Sequence, residues 1–207
     1  RQMCIRDRVI FDLIFKEQSY PFSMNVPGEY NIFNALAAIS VCKTMGLSIE
    51  DISHSLKMFS GVKRRFDIKV KNNDLMIIDD YAHHPVEVSS VIKAIKSNWD
   101  RRLLVIFQPH LFSRTKQFYK EFAEALQNAD LVFITEIFAS REKLDTSITS
   151  EKIGKYLNEL HHNNVFNITT ESLMTDVKSK YMNGDIILTV GAGNIWRFAD
   201  KLSESMQ

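Results

Sequence analysis

The chain has 207 residues, 45% hydrophobic and 25% charged, with a formal net charge of +1. That is enough for one large domain or a domain and a half. The near-neutral charge, with Lys and Arg scattered among acids, excludes the basic stripe of a dedicated nucleic-acid binder. No apolar run approaches the length of a membrane span. The two cysteines, Cys4 and Cys42, form no motif, so a reduced setting is the simplest reading.

Taken in chain order, residues 1–8 show neither helical nor strand periodicity and lack the apolar core of a signal peptide. They read as a cut edge or as residues foreign to the protein. Val9 to Phe15 is apolar and β-branched enough for a strand, and Tyr20 to Met24 for another. Pro27-Gly28 then breaks the chain before a helix from Glu29 to Met45. Ala35 and Ala38, with Ala37 nearby, give that helix a small-residue face suited to close packing, and Gly46 is placed to end it. Asp51 to Phe59 forms a second helix with Ile52, Leu56 and Phe59 on one side. A domain boundary is expected at the basic triplet Lys63-Arg64-Arg65, separating residues 1–62 from residues 63–207.

Beyond Arg65 strand and helix alternate regularly. The strands are Phe66–Val70, Leu75–Asp79, Leu103–Phe107, Leu131–Thr135, Val165–Ile168 and Ile186–Val190. Helical spacing links Val88, Val91, Ile92 and Ile95, and again Phe118, Phe122, Ala125 and Leu126. Continuously apolar strands imply helices on both sheet faces. The fold class is therefore α/β, a doubly wound and mostly parallel sheet.

In such sheets ligands bind beyond the carboxyl ends of the strands. Four loops qualify: Asp79-Asp80-Tyr81-Ala82-His83-His84-Pro85, Gln108-Pro109-His110 running to Arg114, the stretch from Glu136 to Arg141-Glu142-Lys143, and Gly191-Ala192-Gly193-Asn194. Arg pairs bidentately with a carboxylate or phosphate. His donates to an oxyanion or shuttles a proton near neutral pH. A single loop His is more simply a hydrogen-bonded structural residue, but several polar groups on adjacent strand ends favour function. His83 and His84 are adjacent in sequence and do not suit one metal ion, so no metal site is assigned. Gly191-Ala192-Gly193 fails as a dinucleotide fingerprint, because Trp196 occupies the third glycine position and the motif follows the last strand. A tight turn is preferred, with close backbone approach to substrate as the second reading. Asn31 and Asn34 share one helix face and serve either as cap or surface residues or as ligand contacts. Arg64 and Arg65 are either solvated or placed at a hinge to reach a phosphate.

Six segments, VPGEYNIFNALAA, FSGVKRRFDI, IDDYAHHPVEV, FQPHLFSRTKQFYKEFAEAL, DLVFITEIFASREK and ILTVGAGNIW, resemble the Mur ligases of peptidoglycan synthesis. They occur in that family's order and spacing and span nearly all of the chain beyond Val26. The resemblance covers the tail of the family's central ATP-binding α/β domain and its whole C-terminal, Rossmann-like, amino-acid-binding domain. No phosphate-cradling G-K-[ST] loop is present. The UDP-sugar domain, the phosphate loop and most Mg2+ ligands would therefore lie in missing N-terminal and central domains.

The resemblance implies an ATP-dependent carbon–nitrogen ligase of the bacterial cytoplasm, without nucleic-acid or membrane partners. It would join L-alanine to UDP-N-acetylmuramate through an acyl phosphate, with ATP and Mg2+ required and the fragment inactive alone. Carried over by position, Asn31 and Asn34 match adenine contacts, Arg65 a phosphate contact and Asp79 a ribose contact. Tyr81, His83, His110 and Arg114 match residues around the amino acid, with His83 and His110 catalytic and Arg114 on its carboxylate. Tyr30 stands where the family usually has His. Two rival readings are a murein-peptide recycling ligase, which attaches a tripeptide, and a non-catalytic nucleotide-binding fragment.

Overall fold

A computed structural model describes residues 2–5, 8–160 and 162–206. It divides into two compact units, residues 1–62 with 94–100, and residues 63–93 with 101–207.

The first unit opens on strands β1 (Gln2–Ile5), β2 (Arg8–Phe15) and β3 (Gln18–Met24), paired in that order. Both pairings are antiparallel. β1 is a strand where residues 1–8 show no strand periodicity, and Arg1, Arg6 and Asp7 lie outside the described residues. Backbone pairing forms an edge strand without needing the side-chain alternation of a half-buried one. Directly opposite in register, Phe11 and Phe22 stack with centroids 5.5 Å apart, the kind of cross-strand pair that stabilises a sheet.

Helix α1 (Tyr30–Thr44) ends as expected at Gly46, whose φ is +88°. The Gly46 N–H donates to the Lys43 carbonyl and the Leu47 N–H to the Cys42 carbonyl, the two hydrogen bonds of a Schellman ending. Helix α2 (Ile49–Met58) starts two residues earlier than its apolar face predicts, because Ser48 caps it by accepting from the Asp51 N–H at 3.0 Å.

The small-residue face of α1 needs correcting. Ile32, Ala35 and Ile39 are buried, while Ala37 and Ala38 are exposed, since the longer apolar groups set the buried stripe. Ala38 instead lines an apolar groove of about 370 Å³ with Met24, Cys42, Ile52, Leu56 and Phe59.

The second unit is a six-stranded sheet. Its strands are β4 (Asp67–Lys71), β5 (Leu75–Asp80), β6 (Leu103–Phe107), β7 (Leu131–Ile134), β8 (Val165–Asn167) and β9 (Asp185–Val190), in the order β4-β5-β9-β6-β7-β8. Only the β4–β5 pairing is antiparallel, so the mostly parallel α/β class is as expected. Every residue of the four inner strands is buried, whereas β4 and β8 are partly open.

Alternate side chains of this sheet serve opposite faces. Ile77, Leu104, Ile106, Phe133 and Ile187 pack with α6 (Leu173–Lys180) and α7 (Trp196–Ser205). Phe107 meets Phe122 of α4 (Phe112–Leu126), with ring centroids 5.0 Å apart. Helices α3 (Pro85–Asn98) and α5 (Glu151–Glu159) complete the elements. Burying an Ile, Leu or Phe in such a core contributes roughly 1.5–3 kcal/mol each before entropy is set against it. No described helix is long and apolar enough to cross a membrane.

Candidate active site

The strand order puts the last strand of the chain in the middle of the sheet, between β5 and β6. The loop after β9, residues 191–194, therefore separates the two loops that the sequence reading treats as neighbours. Three consecutive strand ends form the rim, and backbone bonds tie them. The Gly191 N–H donates to the Asp80 carbonyl at 3.1 Å, and the Gln108 N–H to the Val190 carbonyl at 2.9 Å.

Arg64 sits behind this rim. Its Nη2 donates to the Gly191 carbonyl at 2.8 Å and the Gly193 carbonyl at 3.2 Å. Its Nε lies 3.6 Å from Asp79 Oδ2, and its guanidinium lies 4.7 Å from the Tyr81 ring centroid. Asp79 is 0% exposed and accepts from the Thr189 hydroxyl at 2.6 Å. Burial pushes its carboxyl upward from the ordinary value, opposed by Thr189 and Arg64. The enclosed carboxylate faces Arg64. Asp80 is also buried and accepts from the Phe66 N–H at 2.7 Å and the Ala82 N–H at 2.8 Å. It thereby fixes the course of the loop. Arg65 is exposed, its guanidinium 5.2 Å from the same Tyr81 ring.

Tyr81, His83, His110 and Phe138 form a row of rings. Centroids are 5.3 Å apart between Tyr81 and His83, 6.1 Å between His83 and His110, and 5.8 Å between His110 and Phe138. The partners of each imidazole determine where its proton sits. His83 Nδ1 is 3.0 Å from the Tyr81 carbonyl and 3.4 Å from Glu87 Oε2. Both are acceptors only, so Nδ1 carries hydrogen and Nε2 of the neutral ring is a base. His110 Nδ1 is 3.4 Å from Arg114 Nη1. Arginine only donates, so His110 Nδ1 accepts and its Nε2 carries hydrogen. Burial lowers the His110 pKa, and Arg114, His83 and Arg141 push the same way against Glu142. The site thus offers one imidazole as acceptor and one as donor, beside a guanidinium.

Two carboxylates hold the loops in place. Glu87 Oε2 accepts from the N–H groups of His83 and His84, at 2.9 and 3.1 Å, at the start of α3. Burial would raise its pKa, but these N–H groups and the nearby His83 hold it below the ordinary value. Glu142 accepts from the hydroxyl and N–H of Ser113, the latter at 3.1 Å. It supplies the cap that Leu111, at the N-terminal boundary of α4, lacks. Glu136 instead accepts from the Thr170 hydroxyl at 2.9 Å and the Thr170 N–H, away from the rings.

Of the expected site residues, Tyr81, His83, His110 and Arg114 come together, and Arg65 and Asp79 flank Tyr81. Asn31 and Asn34 belong to the first unit. There Asn31 donates to the Pro27 carbonyl at 2.7 Å and Asn34 to Asn31 Oδ1 at 3.1 Å. Both line its apolar groove. Two residues that sequence reasoning left without a role, Gln108 and Phe138, are central, and Arg64, read there as solvated or as a hinge residue for a phosphate, faces the buried Asp79. Gln108 is 4% exposed, accepts from the Ile195 N–H and donates to Asn194 Oδ1 at 2.9 Å. One signal was available for Arg64, since an Asp inside an apolar strand calls for a cationic partner. Among the described residues, no group of three or more His, Cys, Asp or Glu is arranged to hold a metal ion.

Known proteins resemble this chain in sequence and fold. The family model for the Mur ligase, glutamate ligase domain, matches residues 64–193. UDP-N-acetylmuramate–L-alanine ligase of Geotalea daltonii is 38% identical over 186 residues, covering 89% of this chain and 41% of that protein. The ligase of the same name from Clostridium novyi is 34% identical over 199 residues, covering 96% and 43%. The chain thus spans about two fifths of the length of these relatives. Among solved structures, UDP-N-acetylmuramate-alanine ligase MurC of Thermotoga maritima superposes with a TM-score of 0.81 at 27% identity, over 99% of this chain and 44% of that one. A murein peptide ligase of Psychrobacter arcticus gives 0.65 at 21%, over 97% and 42%, a likeness of fold alone. With the profile matched across most of its length, the chain belongs to the Mur ligase family.

Proposed function

We propose that this chain is the C-terminal part of an ATP-dependent ligase that joins L-alanine to UDP-N-acetylmuramate in peptidoglycan synthesis. The observation that carries the reading is the pair His83 and His110, centroids 6.1 Å apart, one Nδ1 turned to a carbonyl and the other to Arg114, at the carboxyl edge of the sheet. Residues 63–207 are the amino-acid-binding domain in this reading. Residues 1–62 are the tail of a central ATP-binding domain, in keeping with their uncovered groove.

Arg114 pairs with the amino-acid carboxylate, for which a guanidinium fork is the natural partner. The amine attacks the carbonyl carbon of an acyl phosphate made from the lactyl carboxylate and the ATP γ-phosphoryl group. His83 Nε2 takes the proton released from the attacking nitrogen. The His110 Nε2–H donates to the oxygen that becomes negative in the tetrahedral intermediate, which collapses as the C–O bond breaks and phosphate leaves with its electron pair. Positioning and charge stabilisation supply most of the rate gain in such a step. In this reading Arg65, exposed over Tyr81, contacts a nucleotide phosphate, and Asn31 and Asn34 the adenine. Mg2+ would draw its ligands from the rest of the longer enzyme, and no step is assigned to it here.

The test is phosphate release by the full-length enzyme containing this chain, with ATP and UDP-N-acetylmuramate. Release that requires L-alanine is the expected result. Release with a tripeptide and none with alanine would replace this reading with the recycling ligase. Tight ATP binding without turnover on either would favour a non-catalytic module.

A further inference from the structure

Phe138 lies on the loop after β7 and is half-buried. Its backbone is pinned to the β6 loop on both sides. The Phe138 N–H donates to the Pro109 carbonyl at 2.8 Å, and the Leu111 N–H donates to the Phe138 carbonyl at 3.0 Å. This forms an isolated parallel bridge between His110 and Phe138. The side chain is confined as well. Its ring lies at 16° to the His110 imidazole with centroids 5.8 Å apart, within the range of an offset stack.

Gly193 closes the arrangement. A Cβ there would stand 2.7 Å from Phe138 Cγ, 3.0 Å from its Cβ, and 2.3 Å from Gln108 Oε1. Only a residue without a side chain lets the phenyl ring and the buried Gln108 amide sit where they do. Gln108 in turn holds Asn194 and the Ile195 N–H. Loops from three strand ends thus converge on one phenyl ring, whose exposed duty is to lie along His110.

We propose that Phe138 is a positioning residue whose ring, packed on Gly193 and stacked on His110, holds that imidazole with Nδ1 toward Arg114 and Nε2–H toward the amino-acid substrate. The inference rests on the ligase reading for its consequence but not for its geometry. An unstacked imidazole is free to turn about its side-chain torsions, and a long Nδ1···Arg114 contact of 3.4 Å is too weak to hold it alone. Groups facing His110 are Arg114 from α4, His83 from the β5 loop, and Arg141 and Glu142 from the loop that carries Phe138. Three of these four oppose protonation, so a ring kept among them has its pKa held down, and one released toward water moves back toward the ordinary value.

The experiment reads His110 first and turnover second. Imidazole nitrogen shifts of the 207-residue chain are recorded by NMR through a pH titration, for wild type, Phe138→Leu, Phe138→Tyr and Gly193→Ala. Wild type and Phe138→Tyr should show His110 as the Nε2–H tautomer with a lowered pKa. Phe138→Leu and Gly193→Ala should mix the two tautomers and move the pKa back up toward an ordinary histidine. Should Phe138→Leu fail to fold, Gly193→Ala reads the same quantities with the ring displaced instead of removed. In the full-length enzyme, Phe138→Leu should lower kcat by roughly tenfold while leaving the KM for ATP unchanged, and Phe138→Tyr should restore it. A His110 tautomer and titration that superimpose on wild type in both disrupting variants would overturn the proposal. So would unchanged alanine kinetics. Failure of the wild-type enzyme to use alanine at all would sink the ligase reading and leave the NMR result standing.

Discussion

The two units of this chain bury their apolar side chains to different degrees. Of the large hydrophobic residues left exposed, Ile14, Phe15, Phe33, Val41, Met45, Leu47, Met58, Phe59 and Val62 fall in residues 1–62, against Val86, Leu144 and Met182 beyond them. The first unit thus leaves more large apolar side chains open than the second. The second closes four fully buried strands under helices on both faces. Exposed apolar side chains gain most from further cover. The second unit needs no such cover, and it carries the row of rings, the guanidinium and the capped loops. The lesson is that a complete core and a precise site occur together, because rims held to within a fraction of an ångström must stand on strands that cannot shift.

The sharpest test of that contrast is in the cores. Phe133 is 1% exposed and stacks on Phe166 at 5.5 Å, so Phe133→Ala should cost about 3–5 kcal/mol in chemical denaturation. A loss below 1 kcal/mol would show the sheet core to be looser than its burial implies.

Next comes a division of labour between the units, measured in the full-length enzyme. Arg114→Ala should raise the KM for alanine by about 100-fold, roughly 2.7 kcal/mol, and leave that for ATP alone. Asn34→Ala in the first unit should do the reverse, raising the KM for ATP by about fivefold, near 1 kcal/mol. Both substitutions acting on one substrate would break the comparison.

A smaller effect concerns pH. His110 has a lowered pKa, first through burial, so the unfolded chain takes up a proton there before the folded one does. The stability of the second unit should therefore be fully present above the ordinary histidine range and decline as pH falls through the lowered folded value. Denaturation curves measured across that window should slope less steeply for His110→Gln. An identical slope would deny His110 its neutral state. The smallest effect belongs to the open apolar side chains of the first unit. Phe33 is 67% exposed, and Phe33→Ser should change the stability of this chain by no more than about 0.5 kcal/mol.

Much of the architecture was legible in the residues themselves. Continuous apolar runs such as Leu103–Phe107 and Ile186–Val190 predicted buried parallel strands, and each begins and ends within a residue of its observed bounds. Gly46 as a helix stop is a local matter of backbone geometry, and it was legible for that reason. Edges were harder. β1 escaped notice, because its pairing is made by backbone and leaves no period in the side chains.

The site divides along the same line. That Asp79, Tyr81, His83 and His110 stand at strand ends, with Arg114 just beyond, followed from sequence alone, since a polar cluster after an apolar strand has few other places to go. Three things required the tertiary structure. β9 enters between β5 and β6, which brings the Gly191–Gly193 turn from the far end of the chain into the centre of the rim. Asp79 turns inward to Arg64, leaving Arg65, its neighbour in sequence, as the exposed cation. Phe138 lies along His110. Each depends on contacts between separate elements: the first on pairings between residues more than a hundred positions apart, the others on shorter-range contacts that local sequence still does not specify. Local propensity governs torsions and periods, whereas sheet order is decided by how the whole core can close.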